Sequence, residues 1–126
     1  VYCLLDCDPW GHYIYSVIKQ GSISLAFESS RLAIPDAKYL GIRSIDFERC
    51  GLSDDVKIEL NDRDIKRAKQ IASYPWFEKD KQWQKEIKQM LTNGFKMEVE
   101  SLITKDISYV TEEYVPARLK AKDWLG

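Results

Sequence analysis

The chain opens on VYCLLDCD, five mostly apolar residues that run straight into two aspartates, followed by Pro9, Trp10 and Gly11. A short apolar run that ends at a turn signal reads as a buried strand. Side chains alternate in direction along an extended chain, so Asp6 and Asp8 point to one side and Cys7 to the other. Two carboxylates on one side of a strand end repel each other unless a cation lies between them. Hard oxygen ligands of this kind suit Mg²⁺, which takes one or two carboxylates and keeps several waters. The place also fits the rule that α/β sheets bind ligands beyond the carboxyl ends of their strands. Gly11 lets the backbone turn closely into a helix whose N-terminus favours phosphate. The competing reading is that both aspartates only cap the turn and the helix.

The rest of the first half continues in α/β style. His12–Gln20 reads as a helix, with Tyr13, Ile14, Val17 and Ile18 at helical spacing and Gly21 as its stop. Alternation at Ile23, Leu25 and Phe27 predicts a second strand. Tyr39–Ile45 and Val56–Leu60 are further strand candidates. From residue 61 the pattern is helical. Asn61 with Asp64 three residues on makes a capping box, and Ile65, Ala68, Ile71 and Ala72 form one apolar face. A helix from Lys81 to Thr92 carries Trp83, Ile87, Met90 and Leu91 on one side and stops at Asn93-Gly94. A short helix through Val99, Leu102 and Ile103 follows. A last one, capped by Asp106, runs to Pro116. The expected organisation is one α/β domain over 1–126, with an α/β part at 1–60 and a helical extension at 61–126.

Composition narrows the function. With 126 residues and 44% hydrophobic content, the chain has enough apolar surface for a core. A net charge of −1 excludes a globally basic nucleic-acid binder, so any DNA contact comes from a local patch or a bound metal. Three cysteines, Cys3, Cys7 and Cys50, fit free thiols in a reducing cytoplasm. No apolar run reaches the ~20 residues of a membrane span. The chain lacks an initiator Met and begins inside a strand-like run, which reads as a piece of a longer protein.

LLDCDPWGHYIYSVIKQGS resembles the DxDxxG segment of Toprim domains, above all that of the A-subunit family of archaeal DNA topoisomerase VI. That type IIB topoisomerase family is related to the meiotic double-strand-break transesterase. The resemblance continues in RLAIPDAKYLGI, DIKRAKQIASYPWF, WQKEIKQML and ISYVTEEYVPARL, in order and over nearly the whole chain. It implies a Rossmann-like parallel sheet of Toprim type, entered at the DxD strand. It also implies that Asp6 and Asp8, with a glutamate from an earlier strand, hold Mg²⁺ beside a scissile phosphate. The nucleophilic tyrosine of the family lies in a separate upstream winged-helix domain, so none of the seven tyrosines here inherits that role. Partners implied are double-stranded DNA, a second copy of the A chain in a homodimer, and the ATP-binding B subunit in an A2B2 assembly. This chain alone is not expected to cleave DNA.

Among other residues, His12, Lys19 and Arg31, and with them Lys38 and Arg43, are candidates for facing the DNA backbone. The bland readings are a locally bonded helix-start histidine and solvated surface cations. Glu28 is a poor substitute for the missing glutamate, because it follows the DxD strand. Two alternatives stand beside this reading. Haloacid-dehalogenase-type phosphohydrolases also run a strand into DxD, but Pro9-Trp10-Gly11 departs from their pattern. The other is a non-catalytic dimerisation module.

Overall fold

The computed structural model describes residues 1–20 and 33–126. The expected strand at Ile23–Phe27 and the candidates Glu28 and Arg31 lie outside the described residues. The first apolar run forms β1 (Tyr2–Leu4), paired in parallel with β2 (Lys38–Gly41). The pairing continues past the strand end, with Leu5 N–H donating to Gly41 O and Ile42 N–H to Leu5 O, both at 2.8 Å. Cys3 of β1 is buried, whereas Val1 and Tyr2 are exposed. Helix α1 (Pro9–Gln20) follows β1 and starts three residues before the expected His12, because Pro9 takes the first helical position, where its missing N–H costs nothing.

A short helix, α2 (Asp46–Arg49), and a 3₁₀ turn (Asp54–Val56) lead to β3 (Ile58–Glu59). The strand expected over Tyr39–Ile45 thus ends at Gly41, and the one over Val56–Leu60 shrinks to two residues. Helix α3 (Asp62–Ala72) carries the expected capping box: Asn61 Oδ1 accepts from Asp64 N–H, and Asp64 Oδ2 accepts from Asn61 N–H. A single turn, α4 (Pro75–Glu78), precedes α5 (Lys81–Asn93), which Gly94 ends in the left-handed region at φ 77°.

The second half is not purely helical. Strand β4 (Phe95–Lys96) pairs antiparallel with β3, and Cys7 bridges Met97. Leu125 bridges Tyr39 as well, so among the described residues strand pairings and bridges cross position 60 in three places. After a 3₁₀ stretch (Val99–Thr104), residues Val110–Tyr114 form one π-helical stretch that passes directly into α6 (Val115–Ala121). Pro116 therefore does not stop the last helix. It occupies the first turn of α6, where its missing donor is tolerated.

Two apolar clusters hold these elements. The larger joins Cys3, Tyr15, Tyr39, Ile71, Phe77 and Trp83 among others, between the β1–β2 pair and α1, α3 and α5. Trp83, 1% exposed, packs against the rings of Tyr15, Tyr39 and Phe77 with centroids 4.7–5.2 Å apart. Such pairs add about 0.5–1.5 kcal/mol each beyond area burial. The smaller cluster gathers Cys7, Ile42, Leu52, Met97, Leu102 and Tyr114 under the DxD segment.

Candidate metal centre

Asp6 and Asp8 sit where β1 gives way to α1. The alternation expected of an extended chain holds across them. Cys7 is buried in the smaller cluster with its Sγ 3.5 Å from Ser44 Oγ, while Asp6 and Asp8 both line one surface hollow of about 280 Å³. The segment between them is fixed by the Cys7–Met97 bridge, with N–H···O distances of 2.8 and 3.1 Å in the two directions.

Each carboxylate has one oxygen committed to the backbone. Asp8 Oδ1 accepts from Gly11 N–H at 2.6 Å, which makes Asp8 the N-cap of α1. Asp6 Oδ1 accepts from Val99 N–H at 2.7 Å, a contact spanning 93 positions. The capping role and the metal-ligand role are thus compatible, because each group keeps a second oxygen. Gly11 is required by closeness: a Cβ there would lie 2.1 Å from Asp6 O and 3.3 Å from Asp8 Oδ1. Burial holds the Asp8 carboxyl above the usual carboxylate range, and the neighbouring charge of Asp6 adds to this against the Gly11 N–H. Neither aspartate forms a salt bridge with a cation among the described residues.

This donor set fits a hard divalent cation: two carboxylates on one side of a strand end, each held by one backbone N–H, neither neutralised. Among the described residues no cluster of three or more His, Cys, Asp or Glu side chains completes a ligand set. Glu100 and Trp10 also line the hollow. The sequence already sets Trp10 in the turn after the aspartates but does not place Glu100 at this site. Glu100 and Val99 are brought to the aspartates by the 95–99 segment, through pairings that no local pattern announces.

The family model for the Toprim domain of the topoisomerase 6 A-subunit/Spo11 family matches residues 1–119. The chain belongs to this family. A type 2 DNA topoisomerase 6 A subunit from Sulfurisphaera tokodaii is 42% identical over 99% of this chain, and one from Saccharolobus shibatae is 42% identical over 100%. The meiotic recombination protein SPO11-1 of Oryza sativa is 38% identical over 95%. The chain spans about a third of the length of these relatives, 34%, 34% and 32% respectively. Family membership makes the fold a Toprim fold, to which the mixed α/β architecture with its parallel β1–β2 pair conforms.

The remaining candidates separate clearly within this Toprim domain. His12 is 1% exposed, packed edge-on against Tyr39 and Trp83, and its buried Nε2 has no hydrogen-bond partner among the described residues. That corrects its reading as a phosphate contact: the turn after the aspartates points the ring inward. Burial pushes its pKa down to about 4, so the imidazole is neutral at pH 7. Lys19 lies at the far end of α1, about 15 Å along the helix from Pro9 at 1.5 Å per residue. Its Nζ donates to Gly126 O at 2.6 Å, and partial burial, with Lys38 nearby, lowers its pKa. Arg43 faces inward too, donating to Asp123 Oδ1 at 2.8 Å. The three cysteines are free and buried, and burial raises each thiol's pKa. No helix among the described residues is long and apolar enough to cross a membrane.

Proposed function

We propose that this chain is the Mg²⁺-binding Toprim domain of the DNA-cleaving A subunit of a type IIB, ATP-dependent topoisomerase. In that assembly two A subunits work on double-stranded DNA together with B subunits that bind ATP. The observation that carries the reading is the Asp6–Asp8 pair, without a salt bridge among the described residues, lining one hollow and held by Val99 and Gly11 N–H groups. Membership of the topoisomerase 6 A-subunit/Spo11 family supports it.

In the mechanism, Asp6 and Asp8 would hold the ion. When bound, Mg²⁺ supplies charge neutralisation at a phosphodiester whose bridging bond is broken and remade. The residues of this chain contribute position. The two backbone N–H groups fix the carboxylate orientations before substrate arrives, so little reorganisation is needed at the moment of reaction. Cys7, turned into the core, keeps the flanking aspartates from rotating away. The nucleophilic tyrosine and the third acidic ligand come from outside this chain. Phosphotyrosyl transfer preserves the energy of the broken bond for religation.

The test is a titration of Mg²⁺ or Mn²⁺ into the chain and into an Asp6→Asn/Asp8→Asn variant, followed by calorimetry. Saturable binding present in the first and absent in the second is expected. A folded chain that binds no divalent ion, in a full-length protein that also binds none, would leave the aspartates as capping groups and favour a non-catalytic module.

A further inference from the structure

Beside the carboxylate hollow lies a second one, of about 300 Å³, lined by Trp10, Arg63, Lys66, Arg67 and Gln70. Trp10 belongs to both and forms their shared wall. The four α3 residues are spaced i, i+3, i+4 and i+7, which places them on one face of the helix. The lining contains three cations and no acid. None of the three forms a salt bridge among the described residues. The Arg67 guanidinium lies over the Trp10 ring at 4.6 Å and near the Tyr13 ring at 5.4 Å, and it donates to Gln70 Oε1 at 3.3 Å. Stacking fixes a guanidinium plane while leaving donors at its rim available for an anion. Trp10 is 53% exposed and presents one ring to the Arg67 guanidinium.

We infer that this α3 face, with Trp10, is a docking surface for the phosphodiester backbone of duplex DNA immediately flanking the carboxylate site. The inference rests on the metal-site reading above. Its own support is charge complementarity and adjacency. Asp6, Asp8 and Glu100 together repel a polyanion from the first hollow, so the strand must be held by cations next to it. Arg63, Lys66 and Arg67 are the cations that share a wall with that hollow. Contacts of this kind reach phosphate rather than base edges, so they position DNA without reading its sequence.

The experiment measures binding of a fluorescent duplex to the full-length protein across a series of salt concentrations, for wild type, Arg63→Ala/Lys66→Ala and Asp6→Asn/Asp8→Asn. Both α3 side chains are exposed, so the double variant keeps the fold, checked by circular dichroism. Each lost phosphate contact lowers the slope of log K against log salt by about 0.9, so the α3 variant should lose roughly 2 in slope, equally for unrelated duplex sequences. An unchanged slope overturns the inference and leaves the metal reading intact, provided Mg²⁺ binding still depends on Asp6 and Asp8. Direct binding of labelled polyglutamate that is lost in Arg63→Ala/Lys66→Ala, with duplex binding and its salt slope unaffected, overturns it in favour of an acidic protein partner. Wild-type protein that binds no duplex overturns both readings.

Discussion

Single side chains in this domain do what a motif cannot foretell. His12 follows the DxD turn and offers itself as a phosphate contact, yet it is packed against Tyr39 and Trp83. Its burial has a measurable consequence. With a folded pKa of about 4 against 6.5 for an ordinary histidine, the unfolded chain binds more protons between those values. Stability from this group is therefore present above pH 6.5 and is lost as pH falls toward 4, by an amount on the order of 3 kcal/mol. Urea unfolding of wild type and His12→Phe across pH 4–7 checks this. The variant keeps an aromatic ring at the site, removes the buried orphan nitrogen and is expected to flatten the pH dependence, whatever the larger ring costs at all pH values. Asp6 and Asp8 were legible because strand alternation is a purely local rule. Their holders divide: Gly11 is part of the same motif, whereas Val99 lies 93 residues on, and only tertiary pairing brings its N–H to Asp6.

At the scale of elements, the parts readable from sequence are those whose ends carry their own chemistry. Helix α3 is announced by Asn61 and Asp64, and α5 ends at a glycine that tolerates φ 77°. Replacing Asn61 by Ala should cost about 1 kcal/mol, seen as a lower urea midpoint with unchanged slope, because an orphan donor of the first turn loses its acceptor. Strand β3 was read, too long, within Val56–Leu60, whereas β4 was not read at all. Two residues cannot display a period, and their pairing joins Ile58 to Lys96 across three helices. Pro116 misled for a related reason: a proline marks a boundary but does not say whether a helix ends or begins there. Here it begins, as α6 emerges from the π-helical stretch.

Across the whole molecule, one charged network ties the middle of the chain to its last residues. Asp46, 0% exposed, accepts from Arg43 N–H at 2.8 Å, from Arg49 Nε at 2.8 Å and from Tyr114 OH at 2.5 Å. Asp123 pairs with Arg43 and Arg49, and buried Glu86 accepts from Ser44 N–H at 2.6 Å. Tyr114 in turn lies so close to Gly41 that a Cβ there would meet its hydroxyl at 2.0 Å. Breaking such a set leaves buried charge uncompensated, at about 3–5 kcal/mol. Asp46→Asn is thus expected to destabilise the domain by roughly 3 kcal/mol or more. The loss should change little between low and high salt, since a buried pair is weakly screened. Urea melts at two ionic strengths test both parts. Arginines and aspartates scattered from 43 to 123 read as ordinary surface charge until the fold gathers them, which is why the sequence does not announce this network.

The tryptophan wall between two oppositely charged hollows has a further consequence for how a polyanion approaches. A chain of net charge −1 exerts almost no pull at long range. Three acids against three cations on either side of Trp10 form a local dipole instead, and a dipole acts by torque. If the α3 face docks a strand as proposed, the strand would be turned before it is held, drawn at the α3 side and pushed back at the aspartates until something cancels their charge. On the proposed docking surface and metal site, encounter and engagement would be separate events, and the second would wait on the ion.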